Sequence, residues 1–194
     1  LGVAIHGQGF SNRAIVDDLS QEYPSPVSGM LNIGMLHTSA TGREGHDDYA
    51  PCTVEGLRAK GYDYWALGHV HTRETLSEDP WIVFPGNTQG RHIRETGPKG
   101  CTLVTATDGR IEDAVHMSID VMRWERRQVD ATGARSATDA LERASSAIQN
   151  VVDESDGLPT AIRVTITGAS DAHAQLASDP ERWATEIRAL ATDV

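Results

Sequence analysis

The chain has 194 residues, 39% of them apolar, and carries 28 Asp and Glu against 17 Lys and Arg, for a formal net charge of −11. That length holds one domain and part of a second around a real core, and no apolar run approaches the roughly 20 residues that cross a bilayer. Such an acidic balance excludes a surface that is basic throughout, although positive charge can still be local.

In chain order, residues 1–5 read as a strand. Ser11 or Asn12 is placed to cap a helix reaching Tyr23, which Pro24-Ser25-Pro26 ends. Residues 30–36 form a second strand with His37 at its tip, and a Gly/Asp-rich loop at 41–48 brings His46, Asp47 and Asp48 together. Pro51 suits the first turn of a short helix that Gly61 terminates. The apolar run 62–67 is a third strand, followed at once by Gly68-His69-Val70-His71. Residues 80–84 make another short strand and Pro85-Gly86-Asn87 a turn. Residues 101–107 pair with 110–121 across Asp108-Gly109, with Ile111, Val115, Met117, Ile119 and Val121 on the buried parity and His116 facing solvent.

After Trp124 the composition changes. Ser136 with Asp139 resembles a capping box, and Leu141, Ala144, Ile148 and Val151 make a helical stripe. Ile162, Val164 and Ile166 alternate as a strand. Asp179-Pro180 starts a last helix with Trp183, Ile187 and Leu190 on one face. Two domains are therefore expected, residues 1–122 and 123–194. Cys52 and Cys101 lie far apart without a Cys-x-x-Cys pattern, which reads as two reduced thiols. With no charged-then-apolar leader, the expected compartment is the cytoplasm, with no membrane partner.

The chemistry concentrates in the histidines. Two imidazoles at i and i+2 after one strand, and a third after another, deliver three borderline ligands to one sheet edge, where open α/β sheets place their sites. Arg91, Arg94 and Lys99 form a local basic stretch in the loop 84–99. Trp124, among Arg123, Arg126 and Arg127, reads as a packed tryptophan at the domain boundary, with base stacking as its alternative role.

The blocks Asn32-Ile33-Gly34-Met35-Leu36-His37-Thr38, residues 62–71 ending Gly68-His69-Val70-His71, and Phe84-Pro85-Gly86-Asn87 continuing through Gly90-Arg91-His92-Ile93-Arg94 to Gly100 resemble, in order and spacing, the SbcD-type DNA repair exonucleases. These belong to the calcineurin-like metallophosphoesterases, and the likeness covers roughly residues 1–127. It implies an α/β (α+β) fold: the later part of a phosphoesterase β-sandwich flanked by helices over residues 1–122, then part of a small α/β cap domain that binds DNA over residues 123–194.

It also implies metal-assisted phosphodiester hydrolysis at two divalent ions, manganese by family and iron or zinc by ligand chemistry. His37 and His69 would hold one ion and His71 the other. Asn87, Arg91 and Arg94 would bind the substrate backbone in a loop flanking the metals, and Thr38 would orient the ligands. DNA, an SMC-type coiled-coil ATPase and a second copy of the chain are the partners it implies. The family's earlier Asp-x-His, Gly-Asp and Asn-His motifs do not precede His37 here. Together with the opening on Leu1, this reads as the later portion of a longer protein, inactive by itself. Three alternatives stay open: a phosphoesterase acting on small nucleotides or phosphoproteins, a non-catalytic scaffold, and a structural metal site.

Overall fold

The computed structural model describes residues 2–10, 12, 15–40 and 49–191. They fall into two compact units: Leu1–Thr88 with Lys99–Ile119, and Gln89–Pro98 with Asp120–Val194.

The first unit is built on five strands: β1 Val3–Gly7, β2 Leu31–His37, β3 Tyr64–Gly68, β4 Glu74–Glu78 and β5 Trp81–Phe84. Their order is β1-β2-β3-β5-β4, and every pair is parallel except β4 with β5. One face is sealed by a core of Tyr23, Leu36, Cys52, Leu57, Tyr62, Trp65, Leu67, Ile82 and Phe84. The opposite face, at Tyr64 and Val83, is covered by a hairpin of β6 Gly100–Thr107 and β7 Arg110–Ser118, which sets Ala114 against both. The α/β fold expected from the sequence is present, with a mixed sheet flanked by helices.

Several local expectations are corrected. Between β1 and Tyr23 the only helical element among the described residues is a 3-10 turn, Leu19–Glu22, because Asp18 captures the Ser20 N–H at 2.9 Å and starts a short local turn instead of a longer helix. Ser11 lies outside the described residues. Helix α1, Val54–Ala59, begins after Thr53, whose hydroxyl accepts the Gly56 N–H at 2.9 Å, so Pro51 stands before the cap. Strand β4 has no sequence signal, since its Glu-Thr-Leu-Ser-Glu run holds a single apolar residue, Leu76, and so lacks an apolar alternation.

The largest correction is in β7. The pairing steps from Thr105 with Asp113 to Ala106 with Ile111, a β-bulge that reverses the facing of everything beyond it. Ala114 is buried at 3% exposure, whereas Val115, Met117, Ile119 and Val121 are exposed. His116 turns inward to a half-buried position, and its Nδ1 has no hydrogen-bond partner among the described residues.

The second unit pairs β8 Arg123–Asp130 with β9 Thr160–Thr167 in parallel, connected by α2 Ala137–Asp153 and followed by α3 Ala172–Ser178 and α4 Pro180–Leu190. The forward half of the capping box is formed, Ser136 accepting the Asp139 N–H at 3.2 Å, while the Asp139 carboxylate accepts the Ser136 hydroxyl at 3.1 Å and reaches back to the Arg135 N–H at 3.0 Å, one residue before the cap. Ala140, Ala144, Ile148 and Val151 are buried along α2. Asp179 caps α4, with Pro180 in its first turn. Helix α3 is an addition to the expected pattern, because its Ala-rich sequence carries no apolar stripe of large residues. The loop Gln89–Pro98 belongs to this unit, where the Trp124 Nε1–H donates to the Gly90 carbonyl at 3.0 Å. No helix among the described residues is long and apolar enough to cross a membrane.

Candidate metal centre

Strands β2 and β3 run parallel with His37 beside Gly68, so their carboxyl ends finish level. His37 ends its strand and His69 stands one residue past the end of its own. Glycine at 68 is what allows the approach: a Cβ there would lie 3.0 Å from His37 Nδ1. His69 adopts φ of +109°, a region that costs a non-glycine residue about 1–3 kcal/mol and persists where the surroundings enforce it. The result sets His37 Nε2 3.2 Å from His69 Nδ1, although the two are 32 positions apart.

That separation bears on metal binding. Two nitrogens each about 2.1 Å from one ion, subtending about 100°, stand about 3.2 Å apart. In this structure the two rings share a hydrogen bond, and the same separation equals the bite of two ligands of a common ion; neutral imidazoles are donors that manganese, iron or zinc accept. Partial burial, and then the neighbouring His71, hold the His37 ring below the usual histidine range, which favours the neutral form a ligand needs. His71 is exposed. Among the described residues no group of three or more His, Cys, Asp or Glu comes together as a complete metal site. The donors fit a metal as part of its protein shell.

An aromatic surround, not anticipated from the sequence, fixes the rings. Tyr49 stacks on His69 at 5.7 Å between centroids with 5° between planes, and meets His37 edge-on at 5.6 Å. Phe10 contacts both His37 and Tyr49 edge-on. No local signal marks Tyr49, which reaches the site only because the chain returns after residues 41–48. Those residues, with His46, Asp47 and Asp48, lie outside the described part of the chain.

Thr38 is fully buried, and its hydroxyl donates to the Ala50 carbonyl at 2.7 Å and accepts the Ala40 N–H at 2.9 Å. It ties the end of β2 to the segment that carries Tyr49, and so steadies His37 through the backbone. The Asn87 N–H donates to the His71 carbonyl at 3.1 Å and its carbonyl accepts the Gly100 N–H at 2.9 Å. Its Nδ2 is buried with no partner among the described residues. A cleft of about 570 Å³ adjoins the centre, lined by Gly7, Gln8, Met35, His37, Gly68 and Pro85 among others.

His6 Nε2 lies 2.9 Å from Asn32 Oδ1 and its ring stacks on Tyr62, on the sealed face of the sheet. In the second unit Arg91 is engaged with Glu95, by its guanidinium at 3.2 Å and its N–H at 2.8 Å, while Arg94 is exposed. Lys99, expected in the basic stretch, is buried at 7% exposure. Cys52 is buried, which pushes its thiol up, and Cys101 is half-buried; both are free.

Residues 124–194 match the family model for the middle domain of the metallophosphoesterase YhaO. Over 168 residues the chain is 38% identical to an uncharacterized metallophosphoesterase YhaO of Bacillus subtilis (strain 168), a stretch that covers 86% of this chain and 40% of that protein. The chain thus spans about two fifths of this relative's length. The two findings support the metallophosphoesterase family, whose members use divalent metals.

Proposed function

We propose that the protein containing this chain is a metal-dependent DNA exonuclease that hydrolyses phosphodiester bonds at two manganese ions. The observation that carries the reading is the convergence of His37 Nε2 and His69 Nδ1 to 3.2 Å at the carboxyl edge of parallel strands. The YhaO similarity supports the phosphoesterase class, and the exonuclease-like blocks around His37, His71 and Arg91 to Gly100 support the choice of DNA.

Bound divalent ions supply Lewis-acid polarisation of the phosphate and an activated water. This chain's residues do the rest. His37 and His69 hold one ion, with His69 kept in its strained conformation and Tyr49 against its ring. His71 serves the second ion, and Asn87, tied to the His71 carbonyl, positions a phosphate oxygen. Arg91 and Arg94 engage the DNA backbone, Arg94 with the freer side chain.

By itself the 194-residue chain is expected to bind manganese weakly and to lack turnover, since no third donor joins the His37–His69 pair among the described residues. An SMC-type coiled-coil ATPase and a second copy of the chain are the proposed partners, with action in the cytoplasm.

The test uses the complete protein with manganese, DNA, free nucleotides and phosphopeptides, beside its His71→Ala variant. DNA hydrolysis that His71→Ala abolishes is expected. Turnover confined to nucleotides or phosphopeptides would replace DNA as the substrate, and DNA hydrolysis unaltered in the variant would remove the metal assignment.

A further inference from the structure

We infer that His116 is a positioning residue for the metal centre, in a reading that deepens the two-metal proposal above and rests on it. With Thr102 it forms a polar seam under the β6–β7 hairpin that holds Asn87, and through Asn87 the turn carrying His71. The β7 bulge turns His116 to the inner face of the hairpin, where its register partner on β6 is Thr102. Its neighbours on that face are apolar: Ala114 is buried, and Val104 and Ile111 pack with it against Tyr64 and Val83. Polar side chains weaken such a face, because a buried donor or acceptor left unsatisfied costs more than an apolar group of the same shape. Packing alone therefore does not account for His116 and Thr102.

Backbone contacts tie the pair to the site. The His116 ring lies over Gly100, where a Cβ would stand 2.9 Å from its Cε1. The Gly100 N–H donates to the Asn87 carbonyl at 2.9 Å, and the Asn87 N–H donates to the His71 carbonyl at 3.1 Å. At Gly86 a Cβ would lie 2.9 Å from both the His71 carbonyl oxygen and the Arg73 nitrogen, so the Pro85-Gly86-Asn87 turn is pressed onto the turn that carries His71. Arg73 meets the hairpin from the other side, its Nη2 donating to the Ala114 carbonyl at 2.8 Å, two residues from His116.

Four buried atoms along this line have no hydrogen-bond partner among the described residues: Arg73 Nε, Asn87 Nδ2, Thr102 Oγ1 and His116 Nδ1. The first two can only donate, whereas the Thr102 hydroxyl and the neutral His116 ring can accept. The seam thus holds matching donors and acceptors that are not joined. Gly100 and Thr102 alternate onto one face of β6, which sets Thr102 between His116 and the strand end bonded to Asn87. Loading of the His71 turn with metal joins them: Asn87 is drawn in, its amide donates along the seam, and His116 Nδ1 terminates the chain. Polar groups that find partners only in the loaded state favour that state, since the unloaded one carries their desolvation without return.

The test compares the complete protein with His116→Leu, His116→Asn, Thr102→Val and the double variant His116→Leu/Thr102→Val. The readouts are manganese titration by calorimetry, hydrogen exchange at the Asn87 and Gly100 amides with and without manganese, and melting in chelator. His116→Leu should weaken manganese binding about tenfold, the lower end of what groups that orient ligands contribute, and should abolish the slowing of exchange that manganese causes at both amides. Its melting temperature should be unchanged or raised, since an unsatisfied buried nitrogen is removed. A merely structural role would give the reverse, lower melting with unaltered metal affinity. His116→Asn, whose amide stands where the imidazole Nδ1 does, should restore most of the affinity. The double variant should lose no more than either single one, because the two residues act as one chain. Wild-type manganese affinity in His116→Leu, additive losses in the double variant, or no effect of manganese on the two amides in the wild type would overturn the inference. Failure of the DNA reading appears separately, as manganese binding without DNA turnover in the wild type.

Discussion

His37 Nε2 lies 3.2 Å from His69 Nδ1, and the backbone of His69 is held at φ +109° to keep it there. A contact that maintains a strained residue between two exposed strand ends points to a ligand both rings serve. In the complete protein His69→Ala should lower manganese affinity and cut turnover by roughly 100-fold or more, since even groups that only orient metal ligands are worth about 10–100-fold. Metal titration by calorimetry checks this, and wild-type affinity in the variant would contradict it.

Arg91 and Arg94 are separable. Arg91 is engaged with Glu95 through side chain and backbone, so Arg91→Gln should loosen the loop and lower the melting temperature slightly. Arg94→Gln should leave melting unchanged and reduce the salt slope of DNA binding by about one. Equal effects of the two changes on the slope would show that the Glu95 pairing does not withhold Arg91.

Gly34 lies under the Trp65 ring, and a Cβ at that position would overlap the ring outright. Trp65 is fully buried, stacked on Tyr62 at 5.0 Å, with its Nε1–H donating to the Leu57 carbonyl at 3.1 Å, so it cannot withdraw cheaply. Gly34→Ala should cost about 1–3 kcal/mol by overpacking, read from denaturant unfolding. A neutral result would mean the ring can move.

The β7 bulge makes a sharp contrast between neighbours. Val115→Lys and Met117→Lys, on the exposed parity, should each stay within about 0.5 kcal/mol, whereas Ala114→Lys buries a charge against Tyr64 and Val83 and should prevent stable folding. Were Val115→Lys the damaging change, the register would be the unbulged one that alternation predicts.

Acid should weaken the second unit. The Arg135 N–H, then the Ser136 hydroxyl, hold the Asp139 carboxyl below the ordinary carboxylate range, and the Thr132 hydroxyl, then its N–H, do the same for Asp130. A carboxyl depressed in the folded state contributes its stabilisation fully above the unfolded value, about 3.9, and loses it as pH falls through the folded one. Melting temperature should therefore drop as pH falls below about 4, and Asp130→Asn with Asp139→Asn should flatten that drop. At neutral pH, Ser136→Ala should cost about 1 kcal/mol through loss of the cap.

Much of the architecture was legible because it is written locally. Alternation marked β9, the 3.6-residue stripe marked α2, and the pairs Ser136/Asp139 and Asp179-Pro180 marked helix starts, all through contacts spanning a few residues. Strand β4 and helix α3 escaped because their sequences carry neither period strongly. The burial of β7 departs from plain alternation because one inserted residue in a ladder reverses every side chain beyond it, and a bulge has no residue signature of its own.

At the site, the sequence by itself determined the candidate donors: three histidines, each at or just beyond the end of a strand-forming apolar run. Only the tertiary structure decided that His37 and His69 face one another at ligand spacing, that Tyr49 walls them in, and that His116 turns inward over Gly100. Those facts depend on strand register and on returns of the chain over a dozen to several tens of residues, and register is set by the packing of the whole sheet rather than by any stretch short enough to read along the chain.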